Sequence, residues 1–544
     1  MFKVDRHHRI VSALCPMLAA LGCGGGGGAG STTSSFQIPD VPAEPTEDAD
    51  VAFELVENAG LDRQFSAALT EMTEAELFSG GLAAMDYDGD EDIDLYVVGG
   101  VTDPNRLYEN QGDGTFRDVA EAAGLDFLHL GSGPTFGDAD GDGDLDLFIG
   151  AVEGDPYYLL ENRDGVFLDV TDGSGVVIGA ANTVSAAFFD YDLDGRLDLF
   201  LAHWGARRRE GDVTETVWRN NGRFIFTESS VVTGVAEGLT ALGIDRSFTP
   251  SFSDIDADGD GDLLMVADFN KTQVYLNNGD GTFIDVTDRD VFVDQAGMGS
   301  AIGDYDNDGD MDWFVTSIYN LDVDQGTYFG NRLYRNWGSA TFEDVTDVAG
   351  VADGGWGWAT CFADFDNDGH LDLFHVNGWI RYRGKNFTTD QVRFFHAQGD
   401  GTFRERATEV GLEDTGQGRG LACFDAERDG DIDIVITNNS EDHIVYYRND
   451  TSNGNHYLSV KLAGAGKNRF GVGAKITVTT TSGSQIREIR AGNNYVSQNP
   501  LEVHVGLGAA QVADVTVLWP DGMESFLDGV SADQLLTVVH PDND

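Results

Sequence analysis

The chain has 544 residues, with 33 lysines and arginines against 94 aspartates and glutamates, for a formal net charge of −61. So acidic a surface repels phosphate backbones and excludes nucleic acid as a partner. At 41% hydrophobic residues the chain can still bury large cores, and 70 glycines against 11 prolines argue for many tight turns between short strands.

At the amino terminus Lys3, Arg6 and Arg9 precede an apolar stretch from Ile10 to Leu21, the layout of a secretory signal peptide. The stretch Leu18-Ala19-Ala20-Leu21-Gly22-Cys23 resembles the cleavage box of bacterial lipoproteins. That implies a leader over residues 1–23 and a lipidated Cys23. Residues 24–52, rich in glycine, serine and acids, read as a flexible linker. The expectation is an exported protein, an outer-membrane or cell-surface lipoprotein or else freely secreted. Its only membrane contact is the lipid, because no later apolar run reaches the roughly 18 residues a spanning helix needs.

From residue 53 the chain repeats. DYDGDEDIDL at Asp86 recurs in related form at Asp138, Asp190, Asp254, Asp304, Asp364 and Asp425, at intervals of 50 to 64 residues. Before each acidic loop lies a Gly-rich apolar segment such as GMGSAIGD, and after it an apolar run such as DLFIGAV. Then come an apolar segment ending in asparagine, a tight turn and a last short segment, as in RLYENQGDGTFRDVAEAAGL. Four short antiparallel strands per unit follow. Units of this length predict an all-β fold, a seven-bladed β-propeller over residues 53–450. The last unit lacks its final segment, whereas FELVENAGL at Phe53–Leu61 is such a segment standing before unit one. The amino-terminal strand is therefore expected to complete blade seven. These units resemble the FG-GAP and VCBS repeat family, which includes the integrin α-subunit propeller.

Loop positions 1, 3, 5 and 9 are carboxylates in all seven units. They are Asp86, Asp88, Asp90 and Asp94; Asp138, Asp140, Asp142 and Asp146; Asp190, Asp192, Asp194 and Asp198. The remaining four loops carry Asp254, Asp256, Asp258 and Asp262; Asp304, Asp306, Asp308 and Asp312; Asp364, Asp366, Asp368 and Asp372; and Asp425, Glu427, Asp429 and Asp433. Four carboxylates around one point repel by several kcal/mol unless a cation joins them. Oxygen-only ligands at this spacing suit Ca²⁺, about one ion per loop and seven in all, with the position-7 carbonyl completing the set. An EF-hand is excluded because position 12 is apolar or, in loop six, His375, never the required glutamate. Glycine occupies position 6 except in loop one, where Glu91 predicts local strain. Cys361 and Cys423 stand three and two residues before their loop aspartates. Strand alternation then points them to opposite faces, and two buried thiols are expected.

After residue 454 the pattern changes to alternating strands such as HYLSVKLAG and VADVTVLWPDG, which predict a small β-sandwich over residues 455–540. NRFGVGAKI, GNNYVSQNP, HVGLG and VLWPDG resemble the ASPIC and UnbV domain, and the order of the two domains resembles the cartilage acidic protein family.

Blades three and six carry longer loops after their second strands, HWGARRREGDVTET and VNGWIRYRGKNFTTDQVR. Propeller geometry places both on one face, so Trp204, Arg207, Arg209, Trp379, Arg381 and Arg383 are candidate ligand-binding residues. The functional expectation is an exported, calcium-binding adhesion module for an extracellular protein or an acidic glycan, with calcium mainly structural. A calcium-dependent polysaccharide lyase or hydrolase and a purely structural surface component are the alternatives. Neither G-x-S-x-G nor H-E-x-x-H occurs, so no catalytic residue is assigned.

Overall fold

Each acidic loop connects the first two strands of a four-stranded antiparallel unit, and seven such units follow one another round a ring in the computed structural model. The structure describes residues 51–62, 72–100, 103–207, 214–236, 243–320, 328–382, 385–439, 444–492 and 494–543. The leader, the linker up to residue 50 and Cys23 lie outside the described residues. No helix among the described residues is long and apolar enough to cross a membrane.

Blade one comprises Leu82–Met85, Asp94–Val97, Arg106–Asn110 and Phe116–Asp118. Blades two and three open with Gly131–Gly137 and Thr183–Phe189, blades four and five with Ile244–Ser253 and Ser300–Gly303, and blade six with Gly357–Ala363. Blade seven consists of Gly418–Phe424, Asp433–Asn438 and Ile444–Asn449, completed by Phe53–Leu55. The expected closure is present: Phe53, Glu54 and Leu55 pair antiparallel with Asn449, Arg448 and Tyr447. The two inner strands of blade one are buried along their whole length, because both faces of a blade pack on neighbours. Its outermost strand keeps only Phe116 inside and exposes Arg117 and Asp118.

The second strand of blade three, Asp198–Arg207, overshoots its sheet and pairs Trp204 with Arg246 and Arg207 with Ile244, which ties it to blade four.

Cys361 and Cys423 are joined in a disulfide with a Cα–Cα distance of 6.8 Å, contrary to the two free thiols expected. The two side chains do leave their strands on opposite faces, and this brings them together rather than apart. Cys361 lies on the innermost strand of blade six and Cys423 on that of blade seven. Adjacent blades stack face to face, so the side of six that looks at seven is the opposite face to the side of seven that looks at six. Opposite parity therefore brings the two sulfurs together.

The carboxy-terminal domain packs two sheets, one of Glu502–Gly508, His456–Ala463 and Leu535–Val539, the other of Ser484–Glu488, Lys475–Thr479, Val512–Leu518 and Glu524–Ser531. A segment of this domain enters the propeller's central channel and touches the first strand of every blade. Ser497 and Gln498 pair in parallel with Leu82 and Ala83 of blade one. Gln498 Oε1 accepts from the Phe136 backbone N–H of blade two at 2.7 Å. The Phe188 N–H of blade three donates to the Ala491 carbonyl at 2.8 Å. The Ser253 hydroxyl of blade four donates to Glu488 at 2.7 Å, and Arg490 donates to the Ile302 carbonyl of blade five at 2.8 Å. Thr360 of blade six and Leu421 of blade seven donate their N–H groups to Asn494 Oδ1 and Ser497 Oγ. The sandwich is thus a stopper as well as a domain, and its described residues from Glu488 to Gln498 are the part that reaches the inner strands.

Candidate functional site: acidic loops and an aromatic cavity

The loops repeat one hydrogen-bond scheme. The position-9 carboxylate, fully buried as in Asp94, accepts on one oxygen from the backbone N–H of position 2 and on the other from the last residue of the third strand. In blade one these donors are Tyr87 at 3.2 Å and Asn110 at 2.8 Å. The position-1 carboxylate accepts from backbone N–H groups at positions 5 and 6, as Asp304 does from Asp308 and Gly309. In loop one position 6 has φ +77 at Glu91, the left-handed conformation its six counterparts adopt as glycine. The expected strain is there, and Lys461 and Arg428 hold the residue by its carboxylate and its carbonyl.

Burial dominates the titration of these groups. It pushes Asp94 and Asp312 up to about 9 and Asp262 to about 8, against the lowering effect of their backbone donors. Asp138, Asp190 and Asp425 at position 1 are raised to about 7, again by burial, with neighbouring loop carboxylates adding to it. Oxygens of Asp138, Asp140 and Asp146 lie within 4.8 Å of one another, as do those of Asp254, Asp256 and Asp262. At position 3 of loops three, four and five, Asp192, Asp256 and Asp306 each keep a buried Oδ1 with no partner among the described residues. A set of converging, buried, unpaired carboxylate oxygens fits a hard divalent cation.

The loops are not equivalent. Arg219 reaches Asp192 at 2.5 Å and Asp194 at 3.2 Å, and Arg335 reaches Asp306 at 2.7 Å and Asp308 at 2.9 Å, so loops three and five carry a guanidinium among their carboxylates. In loop six His396 Nε2 stands 3.1 Å from Asp366. Its Nδ1 faces donors on Gln398 and Arg406, so Nε2 carries the proton and donates to Asp366. The imidazole steadies that carboxylate rather than offering a lone pair. From the carboxy-terminal domain Lys475 reaches Asp254 at 3.4 Å, and Lys467 donates to the Asp140 carbonyl at 3.1 Å.

At the mouth opposite the acidic loops the long loops of blades three and six converge, as expected for loops that follow the same strand. Trp204 and Trp379 line one cavity of about 370 Å³ together with Trp356, Trp358 and Phe78. The aromatic half of the predicted ligand set is therefore assembled in one place. Arg209 and Arg383 lie outside the described residues, and for Arg207 and Arg381 only the backbone, in strands, is described. Beneath the cavity Tyr495 closes the bore. Its ring lies 5.1 Å from Trp358 and 5.5 Å from Phe248, and its hydroxyl donates to the Phe78 carbonyl. Sequence reasoning missed both the helix Glu74–Leu77 at this mouth and the channel-filling role of Asn494 to Asn499. The only signal for the latter was an unusually polar, turn-rich stretch between two strands.

Residues 464–544 match the family described as ASPIC and UnbV, and residues 86–149, 138–201, 254–315 and 321–375 match the FG-GAP-like repeat. Cartilage acidic protein 1 of Homo sapiens is 26% identical over 88% of this chain and 73% of its own length. The Mus musculus protein of the same name is 27% identical over 81% of this chain and 70% of its length. Among solved structures, a rhamnogalacturonan lyase of Bacillus licheniformis is similar at 14% identity over 73% of this chain and 75% of that one, with a TM-score of 0.35, a likeness that says nothing about activity. The chain carries FG-GAP-like repeats and a carboxy-terminal ASPIC and UnbV domain, and is similar over most of its length to the cartilage acidic proteins.

Proposed function

We propose that the protein is an exported, calcium-stabilised binding module that engages an extracellular protein or glycan through the propeller mouth opposite its acidic loops. The observation that carries this reading is the set of buried, unpartnered position-3 oxygens of Asp192, Asp256 and Asp306 within loops whose other carboxylates are already engaged by backbone N–H groups. In each loop the carboxylates at positions 1, 3, 5 and 9 would hold Ca²⁺ with the position-7 carbonyl. The ion would supply charge neutralisation that the protein otherwise obtains by keeping protons on buried acids and, in loops three, four and five, from Arg219, Lys475 and Arg335. Calcium is structural in this reading, because the loops lie at the plugged face while the open cavity lies at the other. The leader-like amino terminus and the Cys361–Cys423 disulfide both suit an oxidising, extracytoplasmic setting, with Cys23 as the lipid anchor.

The test is elemental analysis of the purified chain dialysed against millimolar calcium, with melting followed before and after chelation. About seven ions per chain and a calcium-dependent rise in melting temperature are expected, since an ion that binds only the folded state stabilises it by mass action. Two or fewer ions would end the calcium reading. Cys23→Ser should move the protein from the membrane fraction to the soluble one.

A further inference from the structure

We propose that the cavity at the open mouth is a saccharide site that takes an uncharged sugar residue, an inference that rests on the chain being a binding module. At about 370 Å³ the cavity lies near the lower end of the range typical of small-ligand sites, roughly the space of one or two sugar rings. It is blind, because Tyr495 packs against Trp358 beneath it and fills the bore.

Three features of the wall select the ligand. Half of the chain's eight tryptophans, Trp204, Trp356, Trp358 and Trp379, line it; Trp356 and Trp379 stack on each other at 5.2 Å, so the wall offers the C–H groups of a pyranose a rigid apolar surface built largely of indole edges. Polar groups of both kinds are present, which a purely apolar ligand would leave unanswered. Glu74 and Asp268 offer acceptors, and Asp268 has committed one oxygen to the Phe269 N–H at 2.9 Å. The indole N–H groups of Trp204 and Trp356 are buried and have no partner among the described residues, so they are donors in waiting.

Charge then separates neutral from acidic sugars. A uronate or sulfate in the cavity would sit beside two carboxylates. The described cations nearby are already engaged. Arg246 lies over the faces of Trp204 and Phe269 at 4.5 and 5.0 Å, and Arg419, wholly buried behind Trp358, donates to the Leu77 and Gly378 carbonyls. Hydroxyl groups, which both donate and accept, match the remaining wall.

The experiment is a tryptophan-fluorescence titration of the calcium-loaded full chain with cellobiose, maltose, lactose, mannobiose and chitobiose, and in parallel with digalacturonate and with indole. At least one neutral disaccharide should give a saturable change in the millimolar range, and digalacturonate none. Asp268→Asn, which keeps the shape, and Trp204→Leu should each weaken that binding about tenfold, equivalent to about 1.4 kcal/mol, with unchanged melting. The proposal is overturned if no neutral sugar saturates, if digalacturonate binds as well, if only indole binds, or if both variants bind like the parent. Should sugars fail while the calcium-loaded chain still binds an immobilised extracellular protein, the saccharide site falls and the binding-module reading stands. Failure of every glycan and protein probe removes both.

Discussion

Asn110 on blade one donates its side-chain N–H to the main-chain carbonyl of Ala426 on blade seven across 2.8 Å, a bond between residues 316 apart in sequence. The same latch recurs around the ring. Asn162 reaches Tyr87, Asn220 reaches Ala139, Asn277 reaches Tyr191, Asn336 reaches Ile255 and Asn449 reaches Phe365, each on the preceding blade. Only blade six breaks the series, with Ala397 in the asparagine's place. Each latch ends on the carbonyl of position 2, so it fixes the loop of one blade to the third strand of the next. Asn110→Ala would strand the buried Ile93 and Ala426 carbonyls, and a loss of about 1–3 kcal/mol is expected in urea unfolding. Asn278→Ala, an exposed neighbour of a latch, should change stability by less than about 0.5 kcal/mol. Equal effects from the two would refute the latch.

Calcium and protons should compete for the same loops. Asp94 and Asp312 titrate at about 9 in the fold, raised by burial from an ordinary 3.8. A group raised in this way contributes fully below its unfolded value and loses that contribution as pH climbs through its folded value. The chelated protein is therefore expected to melt at progressively lower temperature from about pH 4 to about pH 9. In calcium the ion takes over from the proton, and the decline should shrink or vanish. Scanning calorimetry across that range, with chelator and with calcium, checks it. A chelated protein whose melting temperature rises from pH 5 to pH 9 would contradict the assignment.

The disulfide closes a long stretch of chain, with 62 residues separating Cys361 from Cys423. In the loop-entropy account such a crosslink stabilises by about 4 kcal/mol, with measured values usually about 2–4. Cys361→Ala/Cys423→Ala should lose that much. The loss should appear in unfolding equilibria and leave the calcium stoichiometry unchanged.

The repeat made the fold legible because every blade re-uses one sequence grammar. Fourteen carboxylates at positions 1 and 9, two per loop, stand at fixed spacing in the sequence, and twelve of them are buried, Asp86 and Asp254 being half-buried. The asparagine that ends the third strand was also visible, but its partner on another blade was not, since a latch is defined only once the ring closes. The Cys361–Cys423 bond was misjudged for the same reason: parity along a strand is local, whereas which faces meet is set by the stacking of blades. The bore-filling segment was hidden more deeply. Nothing in GNNYVSQNP announces that its groups will meet the inner strands of blades one, two, three, six and seven, while Glu488 and Arg490 just before it meet those of blades four and five.

That segment gives a further expectation. Gln498 accepts from the Thr135 hydroxyl and the Phe136 N–H and donates to the Phe136 carbonyl, all in a buried setting. Gln498→Leu keeps most of the volume and removes three hydrogen bonds, leaving the Phe136 backbone groups unsatisfied. It should lower stability by about 2–4 kcal/mol. The loss should be accompanied by faster proteolysis of the carboxy-terminal domain. A variant as stable and as protease-resistant as the parent would show that the stopper is held by shape alone.

Calcium should fill the loops unevenly, and the guanidinium groups of Arg219 and Arg335 mark the reluctant ones. Arg335 bridges Asp306 and Asp308 while stacking over Trp337 at 3.8 Å, so an entering ion must displace a fixed positive charge. The corresponding third-strand residues in blades one, two and four are Glu109, Glu161 and Leu276, which present no such competitor. Replacing Arg335 by alanine therefore acts in opposite directions on the two forms. In chelator the variant loses the cation that Arg335 places beside Asp306 and Asp308, and its melting temperature should fall below that of the parent. In calcium the ion meets no rival, and affinity at that loop should rise about tenfold, a gain of about 1.4 kcal/mol. Arg219→Ala should do the same for loop three. Calorimetric titration of the double variant should show two sites moving from the weak class to the tight class at unchanged total stoichiometry. If the weak class persists in the double variant, the guanidinium groups are bystanders and the carboxylates alone set the order of filling.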